Sequence, residues 1–215
     1  MRQKMIVLLT LFVLPLFAQE AAKPMPAATA EPSAQNKAQT KEELLKYMQQ
    51  TRKDFEKSVK GLSDAQLNFK AAPDKWSVKE VSEHIALAES FLGDSTMKML
   101  STPVAQEKSA TAGKESQLVA TLTDRSKKFQ APEPLKPTGK WATEADILKA
   151  FNQARDKNVD FVKKTSEVDL RSHLQDSPFG GQLDAHEWEL FMAGHTARHI
   201  KQIEEVKADP NFPKS

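Results

Sequence analysis

D-A-H-E-W-E-L-F-M-A-G-H-T-A-R-H-I-K-Q-I-E-E-V, running from Asp184 to Val206, has the period of an α-helix. Trp188, Phe191, Met192, His195, His199 and Ile203 recur at three- and four-residue steps, which places them on one helical face. Asp184 is a good N-cap, and Glu187 three residues on completes a capping box, in which each side chain satisfies a backbone N–H left open at the helix start. Leu183 before the cap can pack on Trp188 as a hydrophobic staple. His195 and His199 therefore sit one turn apart inside an apolar stripe. Imidazoles four residues apart on a helix form a two-point clamp for a divalent metal. The spacing alone is a weak signal, because H-x-x-x-H arises by chance. Thr196 follows His195 where a metalloprotease has Glu, so the H-E-x-x-H motif is absent.

Three more long helices are expected upstream. The first runs from about Thr40 to Lys60, with Thr40 and Glu43 as a capping box, Gly61 as the C-terminal left-handed residue, and Leu44, Met48, Phe55 and Val59 as the buried face. Within Leu62–Phe69, Ser63 and Asp64 can start a short helical turn. The second long helix begins at Ser77, paired with Glu80 and stapled by Trp76 onto Val81, and ends before Pro103. Its apolar face is Val81, Ile85, Ala88, Phe91 and Leu92, and His84 falls on that face. The third spans about Thr143 to Thr165, capped by Thr143 and Asp146, with Ile147, Phe151, Ala154, Phe161 and Val162 as its stripe.

Between the second and third, Pro103 to Trp141 is long and mixed. Gln117–Leu122 can make one or two helical turns, while Pro132, Pro134 and Pro137 force an extended path. A connection this long crosses a bundle rather than making a hairpin. Val168 to Gln182 reads as a loop with a Gly180-Gly181 turn, and Pro210 stops the last helix. No strand-like alternation and no internal repeat are visible. The fold class is all-α: a four-helix bundle with one long crossover connection, over residues 39–213.

The front of the chain is different. Met1 to about Ala18 reads as a signal peptide, with Arg2 and Lys4 as the basic start and Met5–Phe17 as an apolar run too short to span a bilayer comfortably. An uncleaved anchor is the alternative. Residues 19–38, with Pro24, Pro26 and Pro32, read as a disordered Ala/Pro-rich linker. The mature protein is thus expected to be exported, to the periplasm or the extracellular space, with no stable membrane anchor after cleavage. The formal net charge of +2 includes Arg2 and Lys4, so the mature chain is near neutral and gives no argument for nucleic-acid binding. There is no cysteine, which excludes disulfides, thiolate metal sites and a catalytic thiol.

Bundles build metal sites between facing helices. The candidate ligands are His84, His195 and His199. Three neutral imidazoles leave positions open for water or substrate, as in catalytic sites. Zn²⁺ or Ni²⁺ is the expected metal, and Fe²⁺ and Mn²⁺ also suit imidazole. The competing reading is three partly buried histidines with ordinary hydrogen bonds. His186 lies nine residues before His195, roughly 180° around the helix at ~100° per residue, and is expected at the surface. His173 is expected exposed in a loop. Gln202 and Arg198 flank the pair, and Gln202 can support a ligand or a substrate. Glu80, one turn before His84, can orient it, although capping already accounts for it. No general base stands out, and no catalytic residue is assigned.

W-S-V-K-E-V-S-E-H-I from Trp76 to Ile85 and H-T-A-R-H-I-K-Q-I from His195 to Ile203 together resemble the second- and fourth-helix motifs of the DinB-like superfamily, YfiT-type proteins included. The resemblance spans roughly Thr40 to Pro213. It implies an up-down-down-up bundle and a metal held by His84, His195 and His199. Some members of the family are S-transferases using bacillithiol or mycothiol, and others are treated as metal-dependent hydrolases. Such thiols are mainly cytosolic, so an export signal argues against the S-transferase activity. The expectations are a metal-dependent hydrolase or transferase of a small-molecule substrate, a binding bundle without turnover, or a structural bundle. A homodimer is compatible with all three.

Overall fold

The computed structural model describes residues 39–214. The expected signal peptide and linker lie outside them. Four long helices form the bundle: α1 (Lys41–Val59), α3 (Val78–Met99), α5 (Glu144–Lys164) and α7 (Ala185–Lys207). The minor elements are α2 (Asp64–Asn68), α4 (Glu115–Thr123), a 3₁₀ turn at Glu133–Leu135 and α6 (Glu167–Ser172). All four long helices start where the sequence places a capping box, at Thr40/Glu43, Ser77/Glu80, Thr143/Asp146 and Asp184/Glu187. Gly61 takes the left-handed conformation expected after α1, with φ 79°.

Cross-links between helices fix their directions. Lys41 at the start of α1 donates to the Lys163 and Thr165 carbonyls at the end of α5, while Asn152 near the start of α5 reaches Glu56 near the end of α1. These two helices are antiparallel. Glu89 and Asp94 of α3 pair with Arg155 and Lys157 of α5 in the same chain order, so α3 and α5 are parallel. Lys207 at the end of α7 donates to Ser58 at the end of α1, so these two are parallel. The topology is up-down-down-up. Because α3 and α5 point the same way, the chain must return the length of the bundle between them. Residues 100–143 do this, and α4 on that crossover packs against α7.

The interior is layered. One apolar cluster holds Leu44, Met48, Met99, Val159, Val162 and Leu190, and the other holds Phe55, Val59, Val81, Ile85, Phe151 and Ile203. A buried polar layer separates them on all four helices. Arg155, with no exposed surface, donates to both oxygens of Glu89, to Thr51 and Thr196, and to the Met48 carbonyl. Asn158 donates to Glu89 as well.

Two expectations need correction. Residues 168–182 are not a plain loop: α6 is followed by an antiparallel hairpin, Leu174–Asp176 with Gln182–Asp184, turned at Gly180 and Gly181. The strands are three residues each, too short to show an alternation in sequence. Phe91 is 53% exposed rather than buried, because Glu89 holds the inward position beside Arg155 and rotates the buried arc of α3 away from Phe91. Among the described residues, no helix is long and apolar enough to cross a membrane.

Candidate metal centre

His84 comes from the second turn of α3, and His195 and His199 come from the middle of α7. The two helices run antiparallel and in contact, which brings one imidazole of α3 opposite two of α7. One nitrogen from each ring lies within 4.8 Å of the others. His84 Nε2 and His195 Nε2 are 3.2 Å apart. Two nitrogens on one tetrahedral zinc, at 2.0–2.1 Å each, stand about 3.3 Å apart. His84 and His195 stand at that spacing, and His199 lies close enough to complete a three-ligand set. The group contains no carboxylate.

The outward nitrogens of two rings are held. His84 Nδ1 lies 2.7 Å from the Leu135 carbonyl, which can only accept, so Nδ1 carries the proton and Nε2 presents a lone pair inward. His199 Nδ1 lies 2.9 Å from Gln202 Oε1, with the same consequence. Leu135 sits on the 3₁₀ turn of the crossover, and the neighbouring Glu83 carboxylate accepts the backbone N–H groups of Thr138, Gly139 and Lys140. Two consecutive residues of α3 thereby pin the crossover beside the site.

The surroundings are aromatic. Trp76 packs 5.0 Å from His84, ring centre to ring centre, and Phe191 stacks on His195 at 6.4 Å. Phe179 of the hairpin lies against Phe191, and Phe129 of the crossover lies against Phe179, carrying the aromatic row to the surface. Burial lowers the pKa of all three histidines. For His84 burial acts against the Leu135 hydrogen bond. His195 is lowered to about 3 by burial, then by His84 and Arg198. His199 is pushed well below the usual range by burial and its two histidine neighbours, against the Gln202 bond. All three are neutral at pH 7, the form that metal ligation requires.

Other sequence candidates fall differently. Gln202 supports a ligand, as the sequence allowed. Glu80 caps Ser77 and pairs with Lys70, leaving the orientation of His84 to Leu135. Arg198 reaches the carbonyls of Leu122, Asp124 and Lys127 and so fastens the end of α4. His186 is not at the surface: it has no exposed area, because α1, α3, α4 and α6 all pack on α7. His173 is also buried, with 8% exposure, beside Thr102. Sequence reasoning missed Leu135 and Arg125, which donates to Gln202. Leu135 acts through its backbone and leaves no side-chain signal.

Residues 47–203 match the family model of the DinB superfamily. The uncharacterized protein YuaE of Bacillus subtilis (strain 168) is 27% identical over 150 residues, covering 69% of this chain and 88% of YuaE. YfiT from Bacillus subtilis, described as a probable metal-dependent hydrolase with an unusual four-helix bundle topology, superposes with a TM-score of 0.51 at 14% identity, over 89% of this chain and 95% of YfiT. TT2238, a four-helix bundle protein, superposes at 0.48 and 19% identity, over 77% of this chain and 99% of that one.

Proposed function

The chain belongs to the DinB superfamily, and from that premise we propose that it is an exported metal-dependent hydrolase of a small-molecule substrate, its metal held by His84, His195 and His199. The observation that carries this reading is the convergence of three neutral imidazoles with two Nδ1 atoms engaged from behind. A divalent metal bound there supplies Lewis acidity. The chain's own residues do the rest. Leu135 and Gln202 orient two ligands, and Trp76 and Phe191 exclude water from their flanks. Three protein ligands leave a position for substrate. Zn²⁺ or Ni²⁺ is the metal of first choice for this all-nitrogen set, with Fe²⁺ and Mn²⁺ next.

Hydrolysis is preferred to thiol transfer because residues 1–18 read as an export signal, whereas the small thiols that the S-transferase members use are mainly cytosolic. The description of YfiT as a probable metal-dependent hydrolase points the same way. A second reading, a metal-binding bundle without turnover, is favoured by the lack of a carboxylate in the cluster to serve as general base. Zinc- and nickel-loaded mature protein, screened on chromogenic esters, amides and phosphoesters, separates the two. Turnover that His195→Ala abolishes supports the hydrolase. Bound metal with no turnover on any of the three classes selects the binding bundle.

A further inference from the structure

We propose that Arg125 is a positioning residue for the metal site: through Gln202 it holds His199 in the tautomer whose unprotonated Nε2 faces His84 and His195. Arg125 lies just past α4, on the crossover. Its Nε and Nη2 donate to Glu205 Oε1 and Oε2 at 3.0 and 2.7 Å, a bidentate fork that fixes the plane of the guanidinium. The remaining Nη1 is thereby aimed at Gln202 Oε1, 3.1 Å away.

The logic is one of donors and acceptors. A guanidinium can only donate. The Gln202 atom facing it must be the carbonyl oxygen, because the amide NH₂ there would set N–H against N–H. That same oxygen faces His199 Nδ1 at 2.9 Å. An oxygen already committed as an acceptor calls for N–H at Nδ1, so the lone pair falls on Nε2, where a metal can take it. Without Arg125, Gln202 is free to flip and present its NH₂, which stabilises the opposite tautomer and spoils the ligand.

The crossover is fastened so that Arg125 keeps its place. Arg198 of α7 donates to the Leu122, Asp124 and Lys127 carbonyls on both sides of it, and Lys201 donates to Thr123. These cations also complement the carbonyl end of α4. Glu205, Gln202, His199 and the anchors Arg198 and Lys201 all lie on α7. One helix thus supplies two ligands, the relay to one of them and the clamp on the residue that sets the relay.

This inference rests on the metal-site reading, and the test keeps the two apart by reading the tautomer without metal. Long-range ¹H–¹⁵N spectra of metal-free protein at neutral pH report which His199 nitrogen carries the proton. Wild type is expected to show Nδ1–H, and Arg125→Leu a mixture of tautomers. Zinc affinity is expected to fall about 10-fold in Arg125→Leu, within the range for lost outer-shell partners. It should fall no further in Arg125→Leu/Gln202→Ala than in Gln202→Ala alone. Arg125→Lys, which keeps a donor but not the fork, should recover part of the loss. Glu205→Gln, at a half-exposed position, loosens the fork with Arg125 still present and should shift the tautomer in the same direction. An unchanged His199 spectrum in Arg125→Leu overturns the proposal. So does a zinc loss that adds to that of Gln202→Ala. A wild type that binds no zinc sinks the metalloenzyme reading, while the tautomer result is still decided by the spectra.

Discussion

Glu89→Gln should destabilise the fold by about 3–5 kcal/mol, the range for removing one partner of a buried ion pair. Arg155 and Glu89 have no exposed side-chain surface, and the pair is bidentate at 2.6 and 2.7 Å. The other acceptors around the guanidinium are neutral: Thr51, Thr196 and the Met48 carbonyl. With Gln at 89 the cation loses its counter-charge and one of the two acceptors of the fork, and an NH₂ is turned against one of its N–H groups. One device can soften the loss. Glu189 is fully buried, and burial together with the charge of Glu89 raises its pKa well above the usual carboxylate range, against the pull of Arg155. Its neutral form is therefore favoured in the native protein. Once Glu89 is uncharged, Glu189 can ionise and serve Arg155 instead. Glu189→Gln alone then exchanges one neutral group for another and should cost no more than about 1 kcal/mol. The double variant removes both possible counter-charges and should exceed the sum of the singles by about 1 kcal/mol or more. Urea unfolding followed by far-UV circular dichroism measures this. With a slope of about 1–3 kcal/mol per molar urea, a 3 kcal/mol loss moves the midpoint by about 1–3 M. A Glu89→Gln protein within about 1 kcal/mol of wild type, or a double variant equal to the sum of the singles, would show that Arg155 does not depend on these carboxylates for its counter-charge.

Acid should unfold the protein through its buried histidines. Burial, then Arg171, lowers the pKa of His186 to about 3, below the ~6.5 of an unfolded chain. Below pH ~6.5 the unfolded state binds a proton that the native state refuses, so stability falls as pH drops toward 3. His186→Gln should flatten the stability–pH slope in that window by one proton, about 1.4 kcal/mol per pH unit, as read from urea midpoints between pH 4 and 6.5. Asp184, raised to about 6 by burial and Glu187, works in the opposite sense between about pH 4 and 6 and is the same in both proteins. Gly93→Ala should destabilise by about 1–3 kcal/mol in the same assay despite the better helix propensity of Ala, because its Cβ would stand 2.1 Å from the Asn158 amide oxygen, and Asn158 is tied to Glu89. Zinc at 100 times its Kd should stabilise the wild type by about 2.7 kcal/mol in thermal unfolding, and His199→Ala should lose that increment.

The bundle was legible because its signals are local. Capping boxes at Thr40, Ser77, Thr143 and Asp184 mark the long helices, and the three- and four-residue spacing marks most of their buried faces. The histidine cluster was legible because His84, His195 and His199 lie on apolar stripes of helices that must meet. The buried charges were not. Nothing in the sequence marks Glu89 and Arg155 as buried, because only their mutual pairing, 66 residues apart, lets both go inside. The same blind spot misplaced Phe91. His186 was misread because the rule of one polar face per helix fails where α7 is surrounded on several sides. The ligand supports were hidden for another reason: Leu135 acts through its carbonyl, and Arg125 acts 77 residues from Gln202 across the crossover.

Metal content of the purified protein, measured by mass spectrometry after dialysis without strong chelators, decides whether His84, His195 and His199 form a metal site. Wild type, His84→Ala and His195→Ala would be compared, each before and after reconstitution with Zn²⁺, Ni²⁺ and Mn²⁺. Close to one divalent metal per chain is expected in wild type, with its loss in both variants. A wild type that retains none of the three metals, or variants that retain as much as wild type, would contradict the three-histidine site.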